Sequence, residues 1–410
     1  MFTQAEEHAF LPAILARPHD DAPRLIFADY LDDSDDPIDH ARADFIRIQI
    51  ALHHIAENHP KRRELINKQN DYLLRHHGHW TRHLRGLAAG FEFRRGILDS
   101  VSVDVQTFTS KAEELFRRAP IRRVRILDAG LHIHRLATAM HLLEVRELDL
   151  CGTDLGNGGL NVLLRSPYLM HLESLNLSFN GLCDGGMELL ARTTRLPSLH
   201  TLLLNDNGMI TAKGVQRLAE SELIQLQTLD LSGNDIGDAG MLALVESTQL
   251  LRLNSLRIHA NHIGDAGAEC LANSELLVRL LAKHPQLNLR QNAIGQVGAR
   301  ALAVSSNMNA AEKLDLGGNY LGDMGLEFVA FSSELPNLRA LGLRQNRITD
   351  AGARTLAISP MMAQLDELDL CANRLTAVGI DQLWQNRKDW QTILEHEENL
   401  CSNWVAPSGS

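Results

Sequence analysis

Apolar residues recur along this chain at fixed distances from a repeated asparagine. Seven intervals separate eight asparagines, and six of these intervals are 27 residues long. The asparagines are Asn180, Asn207, Asn234, Asn261, Asn292, Asn319, Asn346 and Asn373. Apolar residues, mostly leucines, precede them by eight, five and three positions, as Leu226, Leu229 and Leu231 precede Asn234, and His284 is the one polar residue in these positions. One structural unit per period of this length predicts a solenoid of stacked repeats rather than a globular enzyme domain.

The positions around each asparagine predict one strand and one helix. The last two leucines of a unit are two residues apart, so they share one face of a short strand. After Asn261, an aliphatic residue, a glycine and a leucine follow at Ile263, Gly267 and Leu271. The segment between the glycine and the next strand is rich in Ala, Leu and Glu, which favours a helix. Each repeat is therefore predicted to be strand, turn and helix.

A few units depart from the template. Thr153 replaces the asparagine in an upstream unit, and a degenerate unit begins near Ile121. One extra residue after Asn207 delays the aliphatic position to Ile210. The 31-residue spacing before Asn292 adds four residues, which predicts about one additional helical turn.

The pattern L-x-x-L-x-L-x-x-N resembles the leucine-rich repeat family in its ribonuclease-inhibitor-like class, over roughly residues 120 to 385. The resemblance implies an α/β horseshoe solenoid, with a curved parallel sheet on the concave side and helices outside. It also implies that the asparagine amides form a structural ladder, because a buried turn leaves N–H and C=O groups that water cannot reach. The fold itself serves many partners and specifies none.

The first ninety residues have no period and are predicted to be helical. The strings P-H-D-D-A-P-R-L-I-F-A-D-Y-L-D-D and A-R-A-D-F-I-R-I-Q resemble a short helical repeat-companion module that precedes leucine-rich repeats in some bacterial proteins. This resemblance covers about residues 5 to 50 and implies no reaction. The predicted organisation is a helical domain at 1–90, a capping unit at 91–120, about ten repeats at 121–385, a helical C-terminal cap at 386–404 and a tail at 405–410.

Composition narrows the possible functions. The chain is 44% apolar and 22% charged, and its net charge of −11 argues against general affinity for nucleic acid or anionic membranes. The sequence contains no apolar run long enough to span a membrane, and its start is acidic where a secretory signal would be basic. Five scattered cysteines form neither a disulfide framework nor a C-x-x-C motif. We therefore expect a monomeric, cytoplasmic protein that binds no cofactor.

A histidine cluster offers a candidate metal site. His79 and His83 would share a helix face at a spacing of four residues. However, no carboxylate or cysteine stands at partner spacing, Gly78 weakens the helix, and Arg82 and Arg85 add positive charge that repels a cation. A solvated polar face is the preferred interpretation, and no metal is predicted.

A basic stretch offers a candidate nucleic-acid site. Residues 61–95 hold nine Lys or Arg against three acids. The aromatic residues interleaved with them are Tyr72, Trp80, Phe91 and Phe93. Such a stretch can contact phosphates and stack bases. The alternatives are a basic helix facing the acidic loop at 32–39, or a charged surface.

The sheet face offers the preferred binding site. Side chains between and after the strand leucines are predicted to face solvent on the concave side. The proposed partner-binding residues are Asp149, Asn176, Asp230, Arg257, His259, Arg290, Asp315, Arg344 and Asp369. Aromatic anchors are nearly absent, so Asp and Arg rows would select a protein segment electrostatically. The alternative is that these residues only keep the exposed face polar.

No phosphate loop, nucleophile elbow or other local catalytic signature is present, so no catalytic residue is assigned. The sequence predicts a non-enzymatic scaffold that binds a protein on the concave face. Two alternatives remain: a regulator of an enzyme, such as a nuclease inhibitor or a GTPase-activating protein, and a nucleic-acid binder acting through the basic stretch.

Overall fold

A computed structural model describes residues 4–17, 20–55, 59 and 61–386. The chain divides into two compact units: residues 1–153 with 165–174, and residues 154–164 with 175–410. The predicted tail and all but the first residue of the predicted C-terminal cap lie outside the described residues.

The first unit begins with four helices: α1 (Gln4–Ala16), α2 (Ala22–Asp32), α3 (Pro37–His54) and α4 (Arg62–Trp80). The third helix starts where the Asp36 side chain accepts a hydrogen bond from the Ile38 backbone N–H, with Pro37 in the first turn. Both features are typical of helix starts. Helices α2 and α3 pack together on a core that includes Ile14, Phe27 and Ile46.

A hairpin follows these helices. Strands β1 (Gly90–Arg94) and β2 (Ile97–Val103) pair antiparallel, and Arg95 and Gly96 between them both have positive φ. This conformation matches the tight turns that suit twisted hairpins. A Cβ on Gly96 would lie 2.4 Å from Ile46 Cγ1, so the hairpin approaches α3 more closely than any other residue allows.

The first unit then turns to parallel strands. Its remaining elements are α5 (Val105–Arg118), β3 (Arg123–Ile126), α6 (Ala129–Ala137) and β4 (Glu147–Asp149). Strand β2 pairs in parallel with β3, and β3 pairs in parallel with β4.

In the rest of the described chain, short strands alternate with helices. These elements are α7 (Gly156–Leu163), β5 (Ser174–Asn176), α8 (Asp184–Arg192), β6 (Thr201–Leu203), α9 (Ala212–Ala219), β7 (Thr228–Asp230), α10 (Gly237–Val245), β8 (Ser255–Arg257), α11 (Asp265–Ala272), α12 (Glu275–Lys283), β9 (Gln286–Asn288), α13 (Gln296–Val304), β10 (Lys313–Asp315), α14 (Gly322–Ala330), β11 (Ala340–Gly342), α15 (Asp350–Ala357), α16 (Pro360–Gln364), β12 (Glu367–Asp369) and α17 (Ala377–Asn386). The alternation confirms the predicted α/β class.

Strand register in the second unit places equivalent leucines side by side. Strands β6, β7 and β8 are parallel neighbours with Leu202, Leu229 and Leu256 in one row. Strands β9 to β12 form a second parallel set with Leu287, Leu314, Leu341 and Leu368 in one row. These leucines point towards the helices, and the alternate residues of each strand form the opposite face of the sheet.

The lengthened repeat differs from the sequence expectation. Its extra residues do not extend α11 by a turn, because α11 ends at Ala272 and a separate helix, α12, begins at Glu275. The Ser274 hydroxyl caps α12 by accepting from the Leu277 backbone N–H. Strands β8 and β9 flank this insertion, and the Ala260 N–H still donates to the Arg290 carbonyl across it.

Candidate functional site: the strand face and its turns

The repeated asparagines bind backbone groups of their own repeat and of the preceding one. Asn319 Nδ2 donates to the carbonyls of Leu316 and Leu289, both at 2.9 Å, and its Oδ1 accepts from the Ile294 N–H at 3.0 Å. Comparable bonds link successive repeats at Asn207, Asn234, Asn292, Asn346 and Asn373. Asn319 is 1% exposed, so these bonds satisfy groups that water cannot reach.

The residue before each asparagine bends the chain from strand to loop. This position has positive φ, near 55° in Phe179, Gln345 and Ala372. Only small or polar residues adopt this conformation readily. Glycine occupies the position before two asparagines, at Gly233 and Gly318, and Gly152 occupies it before Thr153. Phe179 is the exception, and its ring is 54% exposed at the end of β5.

A second ladder, made by aspartates, was missed in the sequence analysis. Asp238 Oδ1 accepts from the N–H groups of Gly264 and Gly267 in the next repeat, at 2.6 and 2.9 Å. Asp184, Asp265, Asp323 and Asp350 make equivalent bonds to the following repeat. The signal was present in the sequence, because these aspartates stand four residues after an asparagine, often in the string G-D-x-G.

The aspartate ladder explains the repeated glycine. A Cβ on Gly267 would lie 2.6 Å from Asp238 Oδ1, and a Cβ on Gly352 would lie 2.5 Å from Asp323 Oδ1. The glycine therefore leaves room for the carboxylate of the preceding repeat. Where both ladders are present, they fix the turns at both ends of the strand-to-helix connection.

Several predicted partner-binding residues fold back onto their own strand ends. In each, the side-chain Oδ1 accepts from the backbone N–H two residues later, at 2.9–3.0 Å. These residues are Asp149, Asn176, Asp315 and Asp369. One oxygen of each is thus committed to local structure, in the manner of an Asx turn.

The expectation that Asp230 faces solvent is wrong. Asp230 is 6% exposed, and its Oδ1 accepts from both the N–H and the hydroxyl of Ser232. Arg257 Nη1 lies 3.4 Å from Asp230 Oδ2 and covers the carboxylate. The arginine in the neighbouring strand therefore presents the exposed charge at this point.

Three arginines form a strip along the strand ends of the second unit, hereafter the arginine strip: Arg257, Arg290 and Arg344. The Arg257 side chain is 60% exposed, Arg290 is exposed and Arg344 is half-buried. His259, also half-buried, lies two residues after Arg257. Within the described residues, no carboxylate lies in ion-pairing range of Arg290 or Arg344. Their positive charge is available to a ligand.

Glycines separate two arginines of the strip. The Gly317 carbonyl accepts from the Gln291 N–H, and the Gly318 N–H donates to the Arg344 carbonyl, so this repeat lies between those of Arg290 and Arg344. Gly317 has no side chain, and a Cβ there would lie 3.6 Å from Arg344 Cβ and 3.1 Å from Asp315 Oδ1. On the adjoining loop, Arg347 stacks on the exposed Tyr320 ring at 4.4 Å.

Charges on the first unit's strands are paired instead. Arg123 and Arg94 both bind Glu147, and Arg125 approaches Asp149 at 3.9 Å. Burial opposes ionisation of Glu147, but the two guanidinium groups outweigh burial and hold its pKa below the usual range. This mutual neutralisation contrasts with Arg290 and Arg344.

The aromatic residues of the basic stretch are used in packing. The Arg42 guanidinium lies 4.2 Å from the Phe93 ring centroid and 4.9 Å from that of Trp80. Arg42 itself is 7% exposed, and the Tyr72 hydroxyl donates to Asp44. These rings are thus engaged with the helical module rather than presented for base stacking.

The histidine pair does not share one helix. Helix α4 ends at Trp80, so His79 lies in its last turn and His83 lies in a separate 3-10 turn, Arg82–Leu84. Across the part of the chain that the structure describes, no group of three His, Cys, Asp or Glu residues is placed to hold a metal ion.

Part of the chain matches a known protein family. A family model described as "Leucine Rich repeat" matches residues 168–191, 225–245, 253–272, 286–303 and 334–357. These matches begin after the N-terminal module and do not bear on it. The chain is similar to the crystal structure of an internalin from Listeria monocytogenes, with 18% identity, a TM-score of 0.38, and coverage of 64% of this chain and 78% of the internalin chain. No curated protein matches the sequence.

Proposed function

We propose that this leucine-rich repeat protein is a non-enzymatic scaffold that binds a protein partner on the exposed strand face of its second unit. The supporting observation is the arginine strip. Arg290 is exposed and Arg344 is half-buried, and they belong to the repeats on either side of Gly317, in a chain whose net charge is −11. Local positive charge on an acidic protein favours an acidic partner segment, since complementary charge steers association and selects the partner.

The two ladders support a binding role for this face. Asparagine side chains bind the backbone at the strand ends of this unit, and aspartates add bonds in five repeats, so little conformational freedom is lost when a ligand is bound. Preorganisation of this kind raises affinity without adding contacts. The same rigidity suits a surface that must present charges at a fixed spacing.

We place the protein in the cytoplasm. None of the described cysteines, Cys151, Cys183, Cys270 and Cys371, forms a disulfide, as expected in a reducing compartment. Among the described helices, none has both the length and the apolar composition needed to cross a bilayer.

The test is capture of a partner followed by measurement with purified proteins. Nuclease-treated lysate is passed over the immobilised chain, and a captured protein is identified by mass spectrometry and purified. The strip variant Arg257→Glu/Arg290→Glu/Arg344→Glu should bind it at least roughly tenfold more weakly than the wild type.

The matched control carries the same charge change elsewhere. Arg192, Lys213 and Arg354 are exposed on helices α8, α9 and α15. Their replacement by glutamate should alter the affinity less than about threefold, since distant exposed charges are screened by salt. Equal weakening by both triple variants, or no weakening by the strip variant, would overturn the proposed site.

A further inference from the structure

The outer faces of the last helices differ in composition from those of the earlier ones. The positions five and twelve residues after the asparagine lie seven residues apart on one helix and therefore share a face. In the repeats of α8 to α11 these positions hold small or polar residues: Gly185, Arg192, Lys213, Glu220, Ala239, Glu246, Ala266 and Asn273, where the α9 pair is displaced by its one-residue insertion. In the repeats of α13 to α15, all but one are large and apolar: Val297, Val304, Met324, Phe331 and Ile358.

These five residues form what is hereafter called the outer patch. They are exposed by 54%, 64%, 53%, 49% and 76% in that order, and they lie on three helices that pack side by side. Scattered exposed apolar side chains need no explanation, but a contiguous group confined to neighbouring repeats marks an interaction surface. Helix α13 and its two successors thus present a surface that the earlier helices lack.

A cavity of about 350 Å³ lies within the outer patch, between the C-terminal ends of α13 and α14. Its apolar lining includes Val304, Met324 and Phe331, and its polar lining includes Glu327 and Glu334. Within the described residues, neither carboxylate has a cation in ion-pairing range. The lining is thus mixed, and Ser332 and Ser333 also contribute to it, with the Ser333 hydroxyl donating to Glu334. Apolar side chains beside two carboxylates suit the aliphatic stem and charged head of a lysine or arginine.

We propose that the outer patch docks an amphipathic helix of a partner protein that carries lysine or arginine beside its apolar residues. The apolar side chains pack on Val304, Phe331 and Ile358, and one cationic side chain enters the cavity between Glu327 and Glu334. Stacked helices lie roughly 8–10 Å apart, and residues seven apart on a helix are separated by roughly 10.5 Å. A helix that crosses the stack can therefore place one anchor in each successive groove.

A second copy of this chain fits the outer patch less well. A two-fold contact centred on α14 would bring Glu327 and Glu334 of one copy close to the same residues of the other. Like charges held together without cations oppose association. The basic helix neutralises these carboxylates instead, and its charge is opposite to that of the acidic segment proposed for the arginine strip.

The first measurement uses a fluorescein-labelled amphipathic peptide with leucine and lysine at helical spacing, and a counterpart in which glutamate replaces lysine. The leucine–lysine peptide should bind the full chain, as measured by fluorescence anisotropy, and the leucine–glutamate peptide should bind at least roughly tenfold more weakly. Comparable affinities for the two peptides would overturn the proposed charge selectivity.

Paired variants locate the binding. Phe331→Ser/Ile358→Ser and Glu327→Gln/Glu334→Gln should each weaken binding of the leucine–lysine peptide roughly tenfold. The matched controls are Leu242→Ser on α10, where Leu242 is likewise an exposed apolar side chain, and Glu269→Gln on α11. Both should leave the affinity unchanged. All the positions substituted are accessible, and thermal unfolding checks that every variant is folded.

Sedimentation velocity tests whether a second copy of the chain, rather than a partner helix, occupies the outer patch. The wild type should sediment as a monomer at micromolar concentration, and hydrogen exchange should show peptide-dependent protection within residues 296–358. A dimer that Phe331→Ser/Ile358→Ser converts to monomer would overturn the proposal in favour of a second copy. Unchanged peptide binding by both patch variants would overturn it as well.

Discussion

At the residue scale, the buried asparagines do more than fill space, because each amide is both donor and acceptor. Asn319 offers two donors to carbonyls in different repeats and one acceptor to a backbone N–H. No other small side chain combines these functions. Thr153 shows the contrast, since its hydroxyl donates to the Leu150 carbonyl within its own repeat.

Replacing one ladder asparagine should therefore be costly. Asn319→Ala removes three buried hydrogen bonds. The Ile294 N–H loses its acceptor, and the Leu289 and Leu316 carbonyls keep only their bonds from Asn292 and Asn346. We expect the free energy of unfolding to fall by about 3 kcal/mol. Urea unfolding followed by circular dichroism measures the change. Asn337→Ala is the control, because the exposed Asn337 makes one bond to the Asn309 carbonyl and should cost less than about 1 kcal/mol. Equal losses in the two variants would contradict the role assigned to the ladder.

A helix cap gives a prediction that depends on pH. The Thr107 backbone N–H and hydroxyl both donate to Asp104 at 2.7 Å, and these bonds hold the pKa of Asp104 below its usual range. A folded-state pKa below the unfolded one means that the stabilisation is present above the unfolded pKa and is lost as pH falls through the folded pKa.

Asp104→Ala should accordingly lower the free energy of unfolding by about 1 kcal/mol at neutral pH. The difference from the wild type should shrink as the pH falls below about 4, where the carboxyl is protonated in the unfolded chain. Urea titrations at several pH values measure this. Asp104→Asn, which keeps an acceptor, should retain most of the stability at neutral pH, and a pH-independent loss in Asp104→Ala would rule out the cap as its cause.

At the element scale, two helical glycines should respond in opposite directions to alanine. Gly267 in α11 lies against Asp238, and an added Cβ would also meet Ile263 Cγ2 at 2.6 Å. Gly158 in α7 has nothing within 4 Å of its Cβ position. We expect Gly267→Ala to lower the free energy of unfolding by about 2 kcal/mol through overpacking, and Gly158→Ala to raise it by about 0.5–1 kcal/mol through helix propensity. Thermal and urea unfolding of both variants measure these changes. Stabilisation by both substitutions would show that the Asp238 carboxylate can move aside without loss of stability.

The elements could be predicted because their pattern is local and repeated. The spacing of Leu226, Leu229 and Leu231 before Asn234 is enough to specify strand, turn and helix, and the leucine-rich repeat interpretation is confirmed. The extra residues before Asn292 have no such pattern, because the same sequence is compatible with a lengthened helix and with a second, separate helix. Ser274 caps α12 and so marks the start of a second helix, but its role is clear only once α11 is known to end at Ala272.

The candidate site was less predictable than the fold. Alternation along a strand indicates which face of the sheet a residue occupies, but not whether neighbouring side chains cover it. Asp230 was expected to be exposed, yet Ser232 and Arg257 bury it. The aspartate ladder was overlooked because Asp238 bonds to a repeat that begins after it, and this relation becomes visible only when the repeats are stacked.

At the scale of the whole molecule, opposite surfaces of the second unit carry opposite chemistry. The strand face presents Arg290 and Arg344, and the helix face presents the outer patch with Glu327 and Glu334. A repeat protein can maintain such a division because each repeat contributes separately to each face. The two proposed sites are therefore expected to be disrupted independently, with the strip variant leaving peptide binding at the outer patch intact.

The distribution of charge also yields a prediction about nucleic acid. Although residues 61–95 are basic, Arg94 binds Glu147, Arg95 binds Asp21, Arg75 binds Asp71 and Lys68 binds Glu64. With Trp80 and Phe93 packed on Arg42, neither the charges nor the rings are arranged for phosphates and bases. We expect no binding of a labelled single-stranded oligonucleotide at about 0.15 M salt, measured by fluorescence anisotropy. Lys61, Arg63 and Arg85 are exposed side chains of this stretch. Binding that survives this salt and is lost in Lys61→Glu/Arg63→Glu/Arg85→Glu would instead make the N-terminal module a nucleic-acid binder.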